Sequence, residues 1–153
     1  MRIAFLGNFT VKKGSRIFAE VLGDQEVQAA GHEFYILGFV ADKIALNNAR
    51  LNIKSVHLYE EHKLEQLLKK LRIDVVITAS IWPETYSRTF FKAARLGYPV
   101  IAPKLGNPYK VLGDEYPLLF ENTIGLAHLL NSIDDHEICQ ARQILERVNE
   151  SNR

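Results

Sequence analysis

Short apolar runs alternate with amphipathic stretches of helical period along the whole chain, and this alternation constrains the fold more than any other feature. Arg2–Leu6, Glu33–Leu37, Ser55–Leu58, Val75–Ala79, Pro99–Ala102 and a short piece near Leu118–Phe120 read as strands. Ser15–Ala30, Glu61–Leu71, Ser87–Leu96, Pro108–Leu112, Thr123–Ser132 and Asp135–Asn149 read as helices. Strands this apolar need cover on both faces, and helices lying between successive strands supply it. The pattern predicts an α/β fold, a Rossmann-like three-layer α/β/α arrangement around a mainly parallel sheet of about six strands. Gly31, Gly97 and Gly113 stand where helices should stop. Asp42–Asn52 reads either as a short helix or as a surface excursion.

The chain has 153 residues, enough for one domain with its own core, and contains no repeat, low-complexity segment or Gly/Ser/Pro-rich linker. A formal net charge of +1 offers no electrostatic case for nucleic-acid binding. Cys139 is the only cysteine, which excludes an internal disulfide and a multi-cysteine zinc site and fits the reducing cytoplasm. The apolar run at Met1–Gly7 is too short for a signal peptide and reads as a buried first strand. No apolar run approaches the roughly 20 residues a spanning helix needs. Peripheral membrane association through a partner domain stays open.

His32, His57, His62, His128 and His136 fall on different predicted elements, so no metal site is expected. Cys139 lies on the last helix, away from any predicted base, and is not expected to act as a nucleophile. Asp134 and Asp135 are placed to cap that helix. The helix carries Ile138, Ala141, Leu145 and Val148 at helical spacing, an apolar stripe that needs something to cover it.

Two stretches carry the candidate chemistry. The first is Gly7-Asn8-Phe9-Thr10-Val11-Lys12-Lys13-Gly14, between the first strand and the helix opened by Ser15. Glycine lets a ligand approach the backbone and a lysine at the loop can neutralise a phosphate. The spacing fits neither a P-loop nor the dinucleotide fingerprint, and a strand-to-helix turn with solvated lysines explains it equally well. The second stretch runs from Pro83-Glu84-Thr85-Tyr86-Ser87-Arg88-Thr89 through Lys92 to Gly97-Tyr98-Pro99-Val100-Ile101-Ala102. It puts a carboxylate, small hydroxyls and the N-terminus of a helix at the carboxyl edge of the sheet, where crevices hold ligands and free N–H groups hold anions. Glu84 also reads as a helix-start carboxylate, and Arg88 with Lys92 at i,i+4 as a solvated face. Trp82 and Tyr86 read first as rim or core packing.

In combination these stretches resemble the C-terminal, donor-binding domain of group 1 (family 4) glycosyltransferases of the two-domain GT-B type. The family's first loop, Gly-Arg-Leu-x-x-x-Lys-Gly, is matched by Gly7-Asn8-Phe9 and Lys13-Gly14; its second motif is matched by Glu84, Ala93 and Gly97-Tyr98-Pro99-Val100-Ile101-Ala102. Leu105-Gly106-Asn107-Pro108-Tyr109-Lys110-Val111-Leu112 resembles the family's glycine-rich turn and short helix, and Ile81–Ser87 resembles a subgroup acting in surface-polysaccharide and O-antigen assembly. The likeness runs from about Arg2 to Ile133.

The resemblance implies a nucleotide-diphosphate sugar as donor substrate, no cofactor and no metal. It implies that Lys13 binds the diphosphate and that Glu84 holds hydroxyls of the donor sugar, making these two the catalytic candidates. Gly7, Asn8, Tyr86, Ser87, Arg88, Thr89 and Lys92 would complete the substrate contacts, with the N–H groups around Ser87–Thr89 cradling the distal phosphate. Two positions depart from the family. Asn8 replaces a phosphate-binding arginine, and Lys92 replaces the glutamate that grips the ribose hydroxyls; an ammonium has no acceptor to offer them.

The resemblance further implies retaining glycosyl transfer in polysaccharide or glycoconjugate synthesis, with an N-terminal acceptor domain supplied in cis or in trans. Met1 stands directly at the strand that would follow an interdomain linker, so the chain reads as a fragment or as a stand-alone half with little activity alone. On this reading residues 134–153 form a helix that packs on that partner domain. The alternative is a degenerate, non-catalytic nucleotide-sugar-binding or regulatory subunit, and a further rival is an unrelated Rossmann-like or flavodoxin-like binding module. Ser55–Leu58 and Tyr59-Glu60-Glu61 are expected to border the base pocket.

Overall fold

A computed structural model describes residues 1–153 and contains a six-stranded, wholly parallel sheet. The strands are β1 (Arg2–Leu6), β2 (Glu33–Leu37), β3 (Ile53–His57), β4 (Val75–Ile77), β5 (Val100–Pro103) and β6 (Leu119–Phe120), in the spatial order β3-β2-β1-β4-β5-β6. The helices are α1 (Ser15–Leu22), α2 (Gln25–Ala29), α3 (Lys43–Ala49), α4 (Leu64–Lys70), α5 (Arg88–Arg95), α6 (Gly106–Leu112), α7 (Thr123–Ser132) and α8 (Asp135–Ser151). The contacts of α1 with α2, α3 and α7 gather one helical layer, and those of α8 with α5 and α6 gather the other. The expected three-layer α/β/α architecture is therefore what the chain adopts.

The central strands are apolar on both faces, and Ile3, Ala4, Val75, Val76, Ile77, Val100, Ile101 and Ala102 are completely buried. Beside them Phe5, Phe9 and Phe18 pack as an aromatic cluster with centroids 5.0, 5.2 and 6.0 Å apart. Edge-to-face and tilted pairings of this kind add to the area they bury. Because Phe9 belongs to the loop after β1, the cluster anchors that loop to the core.

Several boundaries differ from the sequence-based expectation. The helix expected over Ser15–Ala30 is two helices. Gly23 closes α1, and the Asp24 carboxylate then accepts from the N–H groups of Glu26 (2.8 Å) and Val27 (3.2 Å), opening α2. An Asp side chain that satisfies orphan donors outcompetes continuation of the helix. The stretch expected as helix from Glu61 begins with a 3₁₀ turn, Glu61–Lys63, before α4. Strand β4 ends at Ile77, two residues short, and β3 runs Ile53–His57, leaving Leu58 exposed beyond it. Asp42–Asn52 resolves into α3, N-capped by Asp42, followed by a 3₁₀ turn. Gly31, Gly97 and Gly113 follow α2, α5 and α6 with positive φ, as expected of glycines at helix ends.

Helix α8 opens with a reciprocal capping box, the Asp134 carboxylate accepting from the Glu137 N–H at 2.8 Å and the Glu137 side chain accepting from the Asp134 N–H at 3.3 Å. Its apolar stripe is covered from within the chain. Ile138, Ala141, Ile144 and Leu145 are buried against the layer of α5 and α6, and Asn149 donates to the Ala94 carbonyl at 3.0 Å. Val148, the remaining residue of the stripe, is partly buried against the same core. No helix is long and apolar enough to cross a membrane.

Candidate functional site

The strand order reverses direction between β1 and β4: the chain leaves β1 toward β2 and β3, and leaves β4 toward β5 and β6. At such a switch point the loops following adjacent strands diverge and open a crevice at the carboxyl edge. The crevice here is a cleft of about 350 Å³. It is lined by residues that follow β1 (Gly7, Asn8, Lys13), β2 (Gly38, Phe39), β3 (Leu58, Tyr59, Glu61, Leu64) and β4 (Glu84, Tyr86, Arg88, Thr89, Lys92).

Gly7 lets the two sides of this cleft close. It has φ 113°, and a Cβ at this position would lie 3.2 Å from Thr89 Cγ2. The first turn of α5 thus seats against the bare backbone after β1. Helix α5 is capped by Ser87, whose hydroxyl accepts from the Phe90 N–H at 3.4 Å. The N–H groups of Arg88 and Thr89, at the first two helical positions, have no partner within the helix and stand beside the cleft with the positive end of the helix dipole.

Glu84 sits on a backbone held from the far side. Its carbonyl accepts from the Asn107 N–H at 2.9 Å, which fixes the loop to the start of α6. Its carboxylate Oε1 meets the Lys13 ammonium in an ion pair that ties the β1 loop to the β4 loop. Lys13 is in turn positioned by its own N–H, which donates to the Thr10 carbonyl at 3.1 Å.

The two walls of the cleft differ in chemistry. The wall built by the β1 and β4 loops carries Lys13, Arg88 and Lys92 and the open end of α5. The wall built by the β2 and β3 loops carries Phe39, Leu58, Tyr59 and Leu64, with Glu61 at its polar edge. Arg88 and Lys92 form no ion pair, so their charge is available in the cleft; the hydrogen bond and charge of Lys69 hold the Glu65 carboxyl on α4 below its usual range, and the field of Lys92 is the smallest contribution to that shift. Burial pushes the Tyr59 phenol up, so it stays a neutral donor.

Of the residues singled out in the sequence, Gly7, Asn8, Lys13, Glu84, Tyr86, Arg88, Thr89 and Lys92 converge on this one cleft. Ser87 does not: it is buried, and its hydroxyl serves the helix cap. A cap needs the side chain turned back onto its own helix, and it leaves the N–H groups that follow, the ones expected to cradle a phosphate, open at the helix start. Arg88 and Lys92, one turn apart, both face the cleft and are not a plain solvated face. Tyr86 lines the cleft and stacks on Phe91, with centroids 4.9 Å apart and an interplanar angle of 11°. Trp82 lies outside it, 64% exposed, with the Lys12 ammonium 5.8 Å from its ring centroid. Of the stretch expected to border a base pocket, Leu58, Tyr59 and Glu61 line the cleft, whereas Ser55, Val56, His57 and Glu60 do not.

Gly38, Phe39 and Leu64 were not anticipated. The available signal was positional, since Gly38-Phe39 directly follows β2 at the carboxyl edge. Also unanticipated was Asp42, a buried carboxylate that accepts from Ser15 Oγ (2.6 Å) and Arg16 Nε (2.6 Å) and caps α3 through the Ala45 N–H (3.1 Å). The Arg16 guanidinium, aided by Ser15 and the Ala45 N–H, holds its pKa down to about 2 against burial. Asp42 ties the start of α1 to α3 behind the cleft. No group of three or more His, Cys, Asp or Glu side chains gathers into a metal-binding cluster.

No protein-family profile matches the chain. No curated protein matches it in sequence either. Solved structures do match. The chain is similar to HepE of Anabaena, solved with UDP and glucose, at TM-score 0.75 and 16% identity over 98% of this chain and 43% of that one. It is similar to sucrose-phosphate synthase of Thermosynechococcus elongatus at TM-score 0.77 and 17% identity, over 97% of this chain and 40% of the synthase. It is similar to the C-terminal domain of the group 1 glycosyl transferase LpcC of Francisella tularensis at TM-score 0.74 and 17% identity, over 98% of this chain and 84% of that domain. The chain thus spans about two fifths of the first two and nearly all of an isolated C-terminal domain. It has the Rossmann-like fold of a GT-B glycosyltransferase half-domain.

Proposed function

We propose that the chain is the donor-binding half of a retaining glycosyltransferase and that its cleft takes a nucleotide-diphosphate sugar. One observation carries this reading: a cationic wall with an open helix N-terminus faces an apolar, aromatic wall across a single cleft at the switch point. Such a site has cations and N–H donors for a diphosphate and a hydrophobic surface for a base. The UDP seen in HepE belongs to a protein of the same fold and supports the choice of ligand class.

In this reading Lys13 and the N–H groups of Arg88 and Thr89 hold the diphosphate, while Glu84 accepts from sugar hydroxyls. Transfer breaks the bond between the anomeric carbon and the leaving diphosphate oxygen and forms a bond to an acceptor oxygen, whose proton departs. Negative charge grows on the leaving diphosphate as the bond stretches, and Lys13 with the start of α5 stabilises that charge more in the transition state than in the ground state. The acceptor and its binding residues are supplied by a second domain, in cis or in trans. Polysaccharide or glycoconjugate synthesis is the corresponding role, with the cytoplasm as the compartment where nucleotide sugars and a reduced Cys139 coexist.

Lys92 favours a second reading. An ammonium stands in the cleft where the resemblance expects a carboxylate, which suits a nucleotide-sugar-binding or regulatory subunit without catalysis.

Calorimetric titration with UDP, GDP and their hexose conjugates tests the first reading, with Lys13→Ala and Glu84→Ala as controls. Saturable binding that Lys13→Ala weakens by tenfold or more is the expected result; no binding of any nucleotide at millimolar concentration overturns it. The chain alone is expected to show no turnover. Binding without transfer when an acceptor-binding partner domain is added selects the regulatory reading.

A further inference from the structure

Lys13 and Glu84 form the only ion pair inside the cleft, and they join the two loops that build its cationic wall. Both remain partly accessible, with side-chain exposures of 38% and 18%. Glu84 cannot retreat, because its backbone is held by the Asn107 N–H and Gly106 lies against it, whereas Lys13 carries its charge on a flexible four-carbon stem. Arg88 and Lys92 keep their charges unpaired in the same cleft.

We infer that the Lys13–Glu84 pair is an internal competitor for phosphate that makes the cleft select a diphosphate bearing a hydroxylated group over a bare one. The inference rests on the reading of the cleft as a nucleotide-sugar site. A bare diphosphate that draws Lys13 to itself leaves the Glu84 carboxylate without its partner and close to added negative charge. Losing a partner costs a part-buried carboxylate more than the pair is worth to it in isolation. A diphosphate carrying a sugar removes this penalty, because hydroxyl donors replace the ammonium at Glu84. After transfer the sugar is gone, the pair re-forms, and the nucleoside diphosphate product is displaced. Arg88 and Lys92 attract both ligands, and the bare diphosphate more strongly because its terminal phosphate carries additional charge, so the preference set by the Lys13–Glu84 pair works against theirs.

The test is a thermodynamic cycle on the whole chain with inorganic pyrophosphate, which reads the phosphate-binding groups without a base or a sugar. Glu84→Gln is expected to bind pyrophosphate about fivefold more tightly than the unaltered protein, the size appropriate to a partly exposed pair. In a Lys13→Met background the same Glu84→Gln change is expected to have no effect. If the gain persists without Lys13, general repulsion by the Glu84 charge explains it, and the competitor role is overturned; if no gain appears in either background, it is overturned as well. Thermal unfolding of each variant confirms that it is folded. UDP and UDP-glucose form the second arm: the unaltered protein is expected to prefer the conjugate, and Glu84→Gln to lose that preference. A pyrophosphate cycle that behaves as expected while no nucleotide binds would leave the ion-pair competition standing and overturn the nucleotide-sugar reading; equal binding of UDP and UDP-glucose by the unaltered protein would overturn the selectivity.

Discussion

Gly106 rests directly on the backbone of Glu84: a Cβ added at Gly106 would lie 2.8 Å from both the nitrogen and the carbonyl oxygen of Glu84. Gly106 also has φ 69°, a conformation other residues adopt only at a cost. The first residue of α6 is thus the support on which the cleft carboxylate stands, although α6 itself contributes nothing to the cleft lining.

Gly106→Ala is therefore expected to push the Glu84 loop away and break its register with Lys13. The stability loss should be about 1–3 kcal/mol from the strained φ and the displaced loop. Affinity for a nucleotide sugar should fall at least as far as in Glu84→Ala. Denaturant melts together with calorimetry check both; a variant with unchanged affinity would show that Glu84 does not contact the ligand.

Lys92 lies on the cationic wall, so its charge should matter to anion binding. Lys92→Gln is expected to weaken pyrophosphate or nucleotide binding about threefold, and Lys92→Glu to weaken it further. Both effects should shrink as salt is raised from 0.05 to 0.5 M, values chosen to compress the screening length severalfold. Titration at the two salt concentrations is the measurement. Unchanged or improved affinity in Lys92→Glu would show that this lysine does not replace the charge missing at Asn8.

Asp42 sets an acid limit on the fold. Its folded pKa of about 2 lies below the ordinary value of 3.8, so its contribution to stability is fully present above about pH 4. It is lost as the pH falls from there toward 2, because the unfolded chain takes up the proton first. Asp42→Asn should flatten this part of the stability profile and lower stability at neutral pH, because one neutral amide oxygen replaces two charged ones that accept from Ser15, Arg16 and the Ala45 N–H. Urea melts between pH 2 and 7 would show the change in slope.

Tyr116 completes the hydrogen bonding of β5. Its hydroxyl accepts from the Val100 N–H at 2.9 Å and donates to the Val100 carbonyl at 2.7 Å, on the edge where β6 is too short to reach. Tyr116→Phe leaves both groups buried and unpaired and should cost about 1–3 kcal/mol. Nucleotide affinity should hardly change, since Tyr116 is not among the cleft residues. Parallel melts and titrations separate these two outcomes.

Much of the architecture was legible before folding. β1 and β2 match their expected bounds to the residue, because a strand buried on both faces must be an unbroken apolar run. α7 matched for a different reason, being bounded by an Asn122 cap whose side chain accepts from Gly125. The misjudged places are those where a local side chain competes with the backbone pattern. Asp24 interrupts what periodicity reads as one helix. In the site the Ser87 hydroxyl caps α5, a contact that spacing alone does not reveal.

What the sequence determined by itself was the order of elements, the parallel sheet and the two loops in which the chemistry sits, since hydrophobic period and glycine placement are local properties of the chain. Only the tertiary structure decided that Lys13 meets Glu84, 71 positions away. It also decided that Arg88 and Lys92 turn into the cleft, that Phe39 and Leu64 form the facing wall, and that α8 finds its cover within the chain. Those outcomes depend on the strand order, which reverses between β1 and β4 and so brings together loops that no spacing along the chain could pair.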